Sequence, residues 1–113
     1  MTVRKVGEVT IVSPTGWLVG GDETDQLEDT VRELLANGNR RLIVDLGGIA
    51  MMNSLAVGAL MGCRQSYRNR DCLMALCGLN RRLARMFLIT QLTLVFELYE
   101  TLDAALEAFQ QSA

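Results

Sequence analysis

Leu42-Ile43-Val44-Asp45-Leu46 is a short, nearly continuous apolar run, the pattern of a parallel strand buried on both faces of its sheet. A helix precedes it. Asp22 is placed as the N-cap, with Glu23 and Asp25 in the first turn against the positive dipole end. Thr24, Leu27, Val31, Leu34 and Leu35 recur at helical spacing, Glu28, Asp29, Arg32 and Glu33 point outward, and Asn37-Gly38 supplies the stop. Further upstream, residues 3–6 and 9–13 read as two short strands around a Gly7-Glu8 hairpin turn of type II′. Pro14 lacks an amide donor, so the second strand is expected at an edge or bulge near it. The chain then runs through Thr15-Gly16-Trp17-Leu18-Val19 to a break at Gly20-Gly21.

Downstream of the central run, residues 47–52 read as a loop leading into a second helix that begins near Asn53 or Ser54. Ala56, Leu60, Cys63 and Tyr67 make its apolar face, and Arg64 and Arg68 lie one turn apart on a wetter one. Residues 72–77 read as another buried strand, broken by Gly78. Asn80 caps a third helix through Thr90, residues 94–96 form a last short strand, and Thr101 caps a closing helix with Leu102, Ala105, Leu106 and Phe109 on one face. Strands alternating with helices after an initial hairpin predict an α/β fold. The expected architecture is a single small mixed β-sheet, an N-terminal hairpin plus parallel strands, flanked by about four helices. One domain is expected over residues 1–113.

Composition removes many activities. The chain has 113 residues, half of them apolar, with 11 basic and 13 acidic side chains and a net charge of −2, which is the composition of a folded domain. No basic excess points to nucleic acid or an anionic membrane. The absence of His removes imidazole catalysis, Ser-His-Asp triads and His metal sites. Cys63, Cys72 and Cys77 are an odd set without a CxxC pair, so neither a disulfide framework nor a metal site is indicated. On a strand, Cys72 and Cys77 point to opposite faces, and the expected state is reduced, packed thiols in a cytoplasmic protein. No signal-peptide core or transmembrane run is visible. No G-x-x-x-x-G-K-[ST] or G-x-G-x-x-G element exists, and no cofactor is expected.

The acidic residues of the first helix form either a solvated face or an acidic docking patch. Arg81, Arg82 and Arg85, with Arg64, Arg68 and Arg70, form a basic counterpart. Without interleaved aromatics this set reads as a solvated face or a contact for an acidic partner rather than a nucleic-acid site. The informative segment is Asp45-Leu46-Gly47-Gly48-Ile49-Ala50-Met51-Met52-Asn53-Ser54-Leu55-Ala56-Val57-Gly58. A buried strand, a glycine loop and an apolar approach end in a polar pair at a helix start, where free amides and the dipole favour negative charge. Either Asn53 or Ser54 simply caps the helix, or Ser54 is an exposed phosphate acceptor at a position where about −1.5 to −2 added charges are well tolerated.

Nearly the whole chain resembles the STAS domain family, shared by bacterial anti-sigma factor antagonists and the cytoplasmic ends of sulfate transporters. The resemblance rests on Thr15-Gly16 after the second strand, the Asp-Leu of the 42–46 strand, the polar–Ser helix start, and Val95-Phe96-Glu97-Leu98-Tyr99 leading into Leu102-Asp103-Ala104-Ala105-Leu106. It implies a small mixed sheet flanked by helices and a non-enzymatic, cytoplasmic regulator of transcription. In the antagonists the helix start reads Asp-Ser-Ser/Thr-Gly-Leu-Gly. A hydroxyl there is phosphorylated by the partner anti-sigma factor kinase; the unphosphorylated protein binds that partner and frees the sigma factor. Here Asn53 stands for the Asp, Ser54 for the first hydroxyl, Leu55 for the second, Ala56 for the first Gly, Val57 for the Leu and Gly58 for the last Gly. Leu55 removes one acceptor and leaves Ser54 as the phosphoacceptor; Asn53 loses the carboxylate. Acidic residues common in the family near Trp17-Leu18-Val19 are also absent. The expected partner is an anti-sigma factor or serine kinase-like protein, bound through Asn53, Ser54, Leu55 and Gly58. The alternative is an interaction module without a phosphoswitch, as a sensory scaffold or a transporter accessory subunit. A third class, an enzyme with Cys63, Cys72 or Cys77 as nucleophile, lacks a visible base.

Overall fold

The computed structural model describes residues 1–111; Ser112 and Ala113, at the end of the expected domain, lie outside the described residues. Strands β1 (Thr2–Val6) and β2 (Val9–Ser13) form the N-terminal hairpin, with φ +60° at Gly7. They are followed by β3 (Thr15–Leu18), α1 (Asp22–Ala36), β4 (Arg41–Asp45), β5 (Gly48–Met52) and α2 (Ser54–Asn69). The remainder is β6 (Leu73–Cys77), α3 (Arg81–Ile89), a 3-10 turn at Leu92–Leu94, β7 (Glu97–Tyr99) and α4 (Leu102–Gln111). The main sheet has five strands in the order β1-β2-β4-β6-β7, antiparallel at the hairpin and parallel elsewhere. The expected α/β architecture, a mixed sheet with an N-terminal hairpin and four helices, is therefore present.

The central position of β4 follows from its sequence. Leu42, Ile43 and Val44 are completely buried, and alternation sends Leu42 and Val44 to one face and Ile43 to the other. On the first face α1, α2 and α3 contribute Leu27, Val31, Leu60, Cys63, Tyr67, Leu83 and Phe87 to the larger core. On the second, α4 lays Ala105 and Phe109 over Val9, Ile11, Ile43, Ala75 and Cys77. Each Leu, Ile, Val or Phe among them stabilises the fold by about 1.5–3 kcal/mol through burial. The strand read over residues 72–77 begins one residue later, at Leu73, so Cys72 precedes β6 and packs against the first face from the loop, while Cys77 lies in the second.

Four local expectations need correction. Residues 15–18 and 48–52, read as connecting segments, are strands: β3 and β5 pair in parallel in a separate two-stranded sheet, with a bulge between Gly16 and Trp17. β2 is neither an edge strand nor bulged; it sits between β1 and β4, and Pro14 falls just beyond its last residue, where no amide is needed. The cap of α1 is Gly21 rather than Asp22, and Thr24 Oγ1 accepts a bond from Gly20 N at 2.9 Å instead. The last strand is Glu97–Tyr99, not residues 94–96, because Leu92 and Phe96 turn inward to the core and set the intervening residues in a 3-10 turn.

Candidate functional site

Asp45 ends β4 by accepting a bond from Gly47 N on Oδ1 at 2.9 Å, and the chain turns at once into β5. Pairing of β5 with β3 sets Trp17 opposite Met51 and Leu18 opposite Met52. The next residue, Asn53, holds three segments together. Its backbone N donates to Leu18 O at 3.1 Å, its Nδ2 donates to Val19 O at 2.9 Å, and its Oδ1 accepts from Leu55 N and Ala56 N at 3.1 and 3.2 Å. Asn53 thus caps α2 and ties that cap to the end of β3. A carboxylate at this position could cap the helix but could not donate to the Val19 carbonyl.

With the cap supplied by Asn53, Ser54 has no such duty. It is the first residue of α2, exposed, and its hydroxyl has no hydrogen-bond partner among the described residues. No acidic residue occupies the first turn of α2, so the positive end of the helix dipole is uncompensated there. Apolar surface lies beside it. Leu55 is 65% exposed and rests on Gly20, where an added Cβ would come within 2.6 Å of Leu55 Cδ1. Trp17 is 57% exposed and Val19 is exposed on the neighbouring strand end. Gly58, one turn further along α2, is open, with nothing near the place of a Cβ. Asn53, Ser54, Leu55 and Gly58 therefore share one helix start. The β3–β5 pairing sets the end of β3, with Trp17 and Val19, alongside the strand that leads into this helix start; the sequence did not reveal that pairing, and its one Trp was the available signal.

The cysteines are arranged for packing. Burial pushes the Cys63 thiol up to about 11. Burial, and then the Asp45 carboxylate, push Cys77 up to about 12. Cys72 is half-buried and its Sγ–H donates to Arg70 O at 3.4 Å. Thiols held protonated are poor nucleophiles. Among the described residues no cluster of Cys, Asp and Glu could hold a metal ion, and no helix is long and apolar enough to cross a membrane.

Comparison with known proteins decides the family. The STAS domain model matches residues 1–105. The chain belongs to the STAS domain family. Among solved structures, TM1081 of Thermotoga maritima superposes with a TM-score of 0.87 at 21% identity, over 95% of this chain and 92% of that one. An anti-sigma factor antagonist from Mycobacterium paratuberculosis gives 0.83 at 24% identity, over 95% and 90%. The Bacillus cell fate determinant SpoIIAA in its phosphorylated form gives 0.74 at 15% identity, over 96% and 97%. STAS domains of SulP transporters lie within the same range. At these identities the similarity establishes the fold. No curated protein sequence matches the chain. The family is not enzymatic, and within it this STAS domain resembles both anti-sigma factor antagonists and the STAS domains of SulP transporters.

Proposed function

We propose that this STAS domain is an anti-sigma factor antagonist whose α2 start docks an anti-sigma factor with serine kinase activity, and that Ser54 is the phosphoacceptor that releases it. The observation that carries the reading is the division of labour at the helix start: Asn53 supplies every capping bond, and the Ser54 hydroxyl is exposed and free. Exposed Leu55 and Val19 supply apolar contact area beside it, and exposed Trp17 extends the apolar surface along β3. A patch of about 800 Å² per partner is ordinary for a specific complex. A phosphate on Ser54 meets the uncompensated dipole end of α2 and leaves the fold intact. Across the interface the same charge must be desolvated against the partner, and about 3 kcal/mol of penalty weakens binding by roughly two orders of magnitude.

The test uses wild type, Ser54→Ala and Ser54→Glu with the candidate kinase. Phosphate is expected in wild type only, and Ser54→Glu is expected to weaken complex formation about a hundredfold. Equal incorporation into wild type and Ser54→Ala removes Ser54 from the mechanism. Binding without any phosphate transfer assigns the surface to an unswitched interaction module.

A further inference from the structure

Helix α3 is capped by Asn80, whose Oδ1 accepts from Leu83 N, but the charge in its first turn opposes it. Its first two residues are Arg81 and Arg82, Arg85 follows one turn on, and its first turn has no acidic residue. Cations at a helix N-terminus oppose the dipole. None of the three arginines has an ion-pair partner among the described residues. While Leu83 and Phe87 are buried, the outer face continues with Leu88 and Ile89, each 68% exposed, and beyond the helix with Leu94, 82% exposed. Gln91, at φ +61°, is left-handed without being glycine, and it turns the chain into the 3-10 segment that displays Leu94. Beside it a largely apolar groove of about 200 Å³ is lined by Leu79, Ala84, Thr93, Leu98, Tyr99 and Glu100. Charge misplaced for the helix, exposed aliphatic side chains and a strained turn fall on one surface. Conflicts between local stability and sequence gather where function selects them.

We infer that the outer face of α3 and the following 3-10 turn dock an acidic amphipathic segment of a partner protein. Its carboxylates meet Arg81, Arg82 and Arg85, and its apolar side chains meet Leu88, Ile89 and Leu94. An anionic membrane fits less well. A helix lying on a bilayer divides cations and apolar residues between its two sides, whereas α3 separates them along its length and gives its inner side to the core. A second copy also fits less well. The acidic outer face of α1 carries no large exposed apolar side chain to meet Leu88 and Ile89. Pairing α3 with α3 would leave the arginines of both copies unmatched. This surface uses none of the Ser54 site and stands or falls separately from it.

A labelled helical peptide with Glu at one end and Leu at the other, its Glu→Lys counterpart, and phosphatidylcholine–phosphatidylglycerol vesicles are the probes. The acidic peptide is expected to bind, to weaken with added salt, and to shift backbone amide resonances only within residues 81–94. The triple variant Arg81→Glu/Arg82→Glu/Arg85→Glu is expected to lose about tenfold or more of that affinity and to prefer the Lys peptide. Its Tm is expected to rise by about 2–6 °C, since acidic residues suit that helix end, so lost binding cannot be lost folding. Leu88→Ala with Ile89→Ala is expected to lower affinity several-fold. Equal binding of both peptides, shifts mapping elsewhere, preference for the vesicles, self-association through this face, or a triple variant that still binds the acidic peptide overturns the inference.

Discussion

Asn53 and Ser54 are adjacent, both polar and both at a helix start, yet they carry different energies. Asn53 spends its whole amide on structure, capping α2 through Oδ1 and reaching Val19 O through Nδ2. Loss of a cap of this type costs about 0.5–2 kcal/mol, so Asn53→Ala is expected to destabilise the fold by roughly 1–2 kcal/mol. Asn53→Asp introduces the carboxylate of the antagonist pattern that this helix start resembles. It keeps the cap, gains with the dipole and loses only the bond to Val19, so its cost is expected to fall below that of Asn53→Ala. Ser54→Ala removes no bond, and its unfolding free energy is expected within about 0.5 kcal/mol of wild type. Urea titrations of the three variants check the order. A silent Asn53→Ala, or a Ser54→Ala as costly as the Asn53 change, would return Ser54 to a merely structural part.

At the scale of elements, the two longest helices end alike and differ in what the ending costs. After α1, Gly38 N bonds Leu35 O and Asn39 N bonds Leu34 O, with Gly38 left-handed at φ +96°. After α2 the same pair of bonds recurs from Asp71 N to Arg68 O and from Cys72 N to Tyr67 O, but the left-handed residue is Asp71 at φ +56°. This is the Schellman ending, which glycine adopts without steric cost. Asp71→Gly is therefore expected to raise stability by about 0.5–1 kcal/mol, measured by thermal unfolding; a lowered Tm would mean that the Asp71 side chain does something the backbone does not show. Endings like Asn37-Gly38, apolar runs like residues 42–46 and helical repeats like Leu60, Cys63, Tyr67 were legible because each is written in local spacing. The β3–β5 pair was not. Gly16, exposed Trp17 and Gly48 break any two-residue alternation, and the pairing joins segments about thirty residues apart. The last strand was displaced for a related reason: Phe96 looks like a strand residue but serves as a core anchor, its ring 5.9 Å from that of Phe87. At the site, the helix start was legible, whereas the role of Asn53 needed the position of Val19.

On the scale of the whole molecule, the sheet separates two cores of unequal size, and a thiol reports on each. Cys63, on the inner face of α2, lies in the larger core, and Cys77 lies in the smaller one under α4. Both are buried and held protonated, so neither reacts until something opens. The covering of Cys77 is one ten-residue helix, α4, anchored by Ala105 and Phe109, whose ring meets Tyr99 edge-on at 6.3 Å. Its release uncovers the smaller core, Val9, Ile11, Ile43 and Ala75 included, but breaks no strand pairing, so it costs less than opening the larger core. Reaching Cys63 requires separating α2 from the sheet and from α1, which approaches global unfolding. Iodoacetamide labelling of the native protein, followed by mass spectrometry, is therefore expected to modify Cys72 first, Cys77 next and Cys63 last. Phe109→Ala, expected to cost about 3–5 kcal/mol in a closely packed setting, should speed Cys77 far more than Cys72. Cys63 reacting with or before Cys77 would show that the sheet opens first from its α2 side, the side that carries Ser54, and that the partner-binding face rather than α4 is the least stable part of the fold.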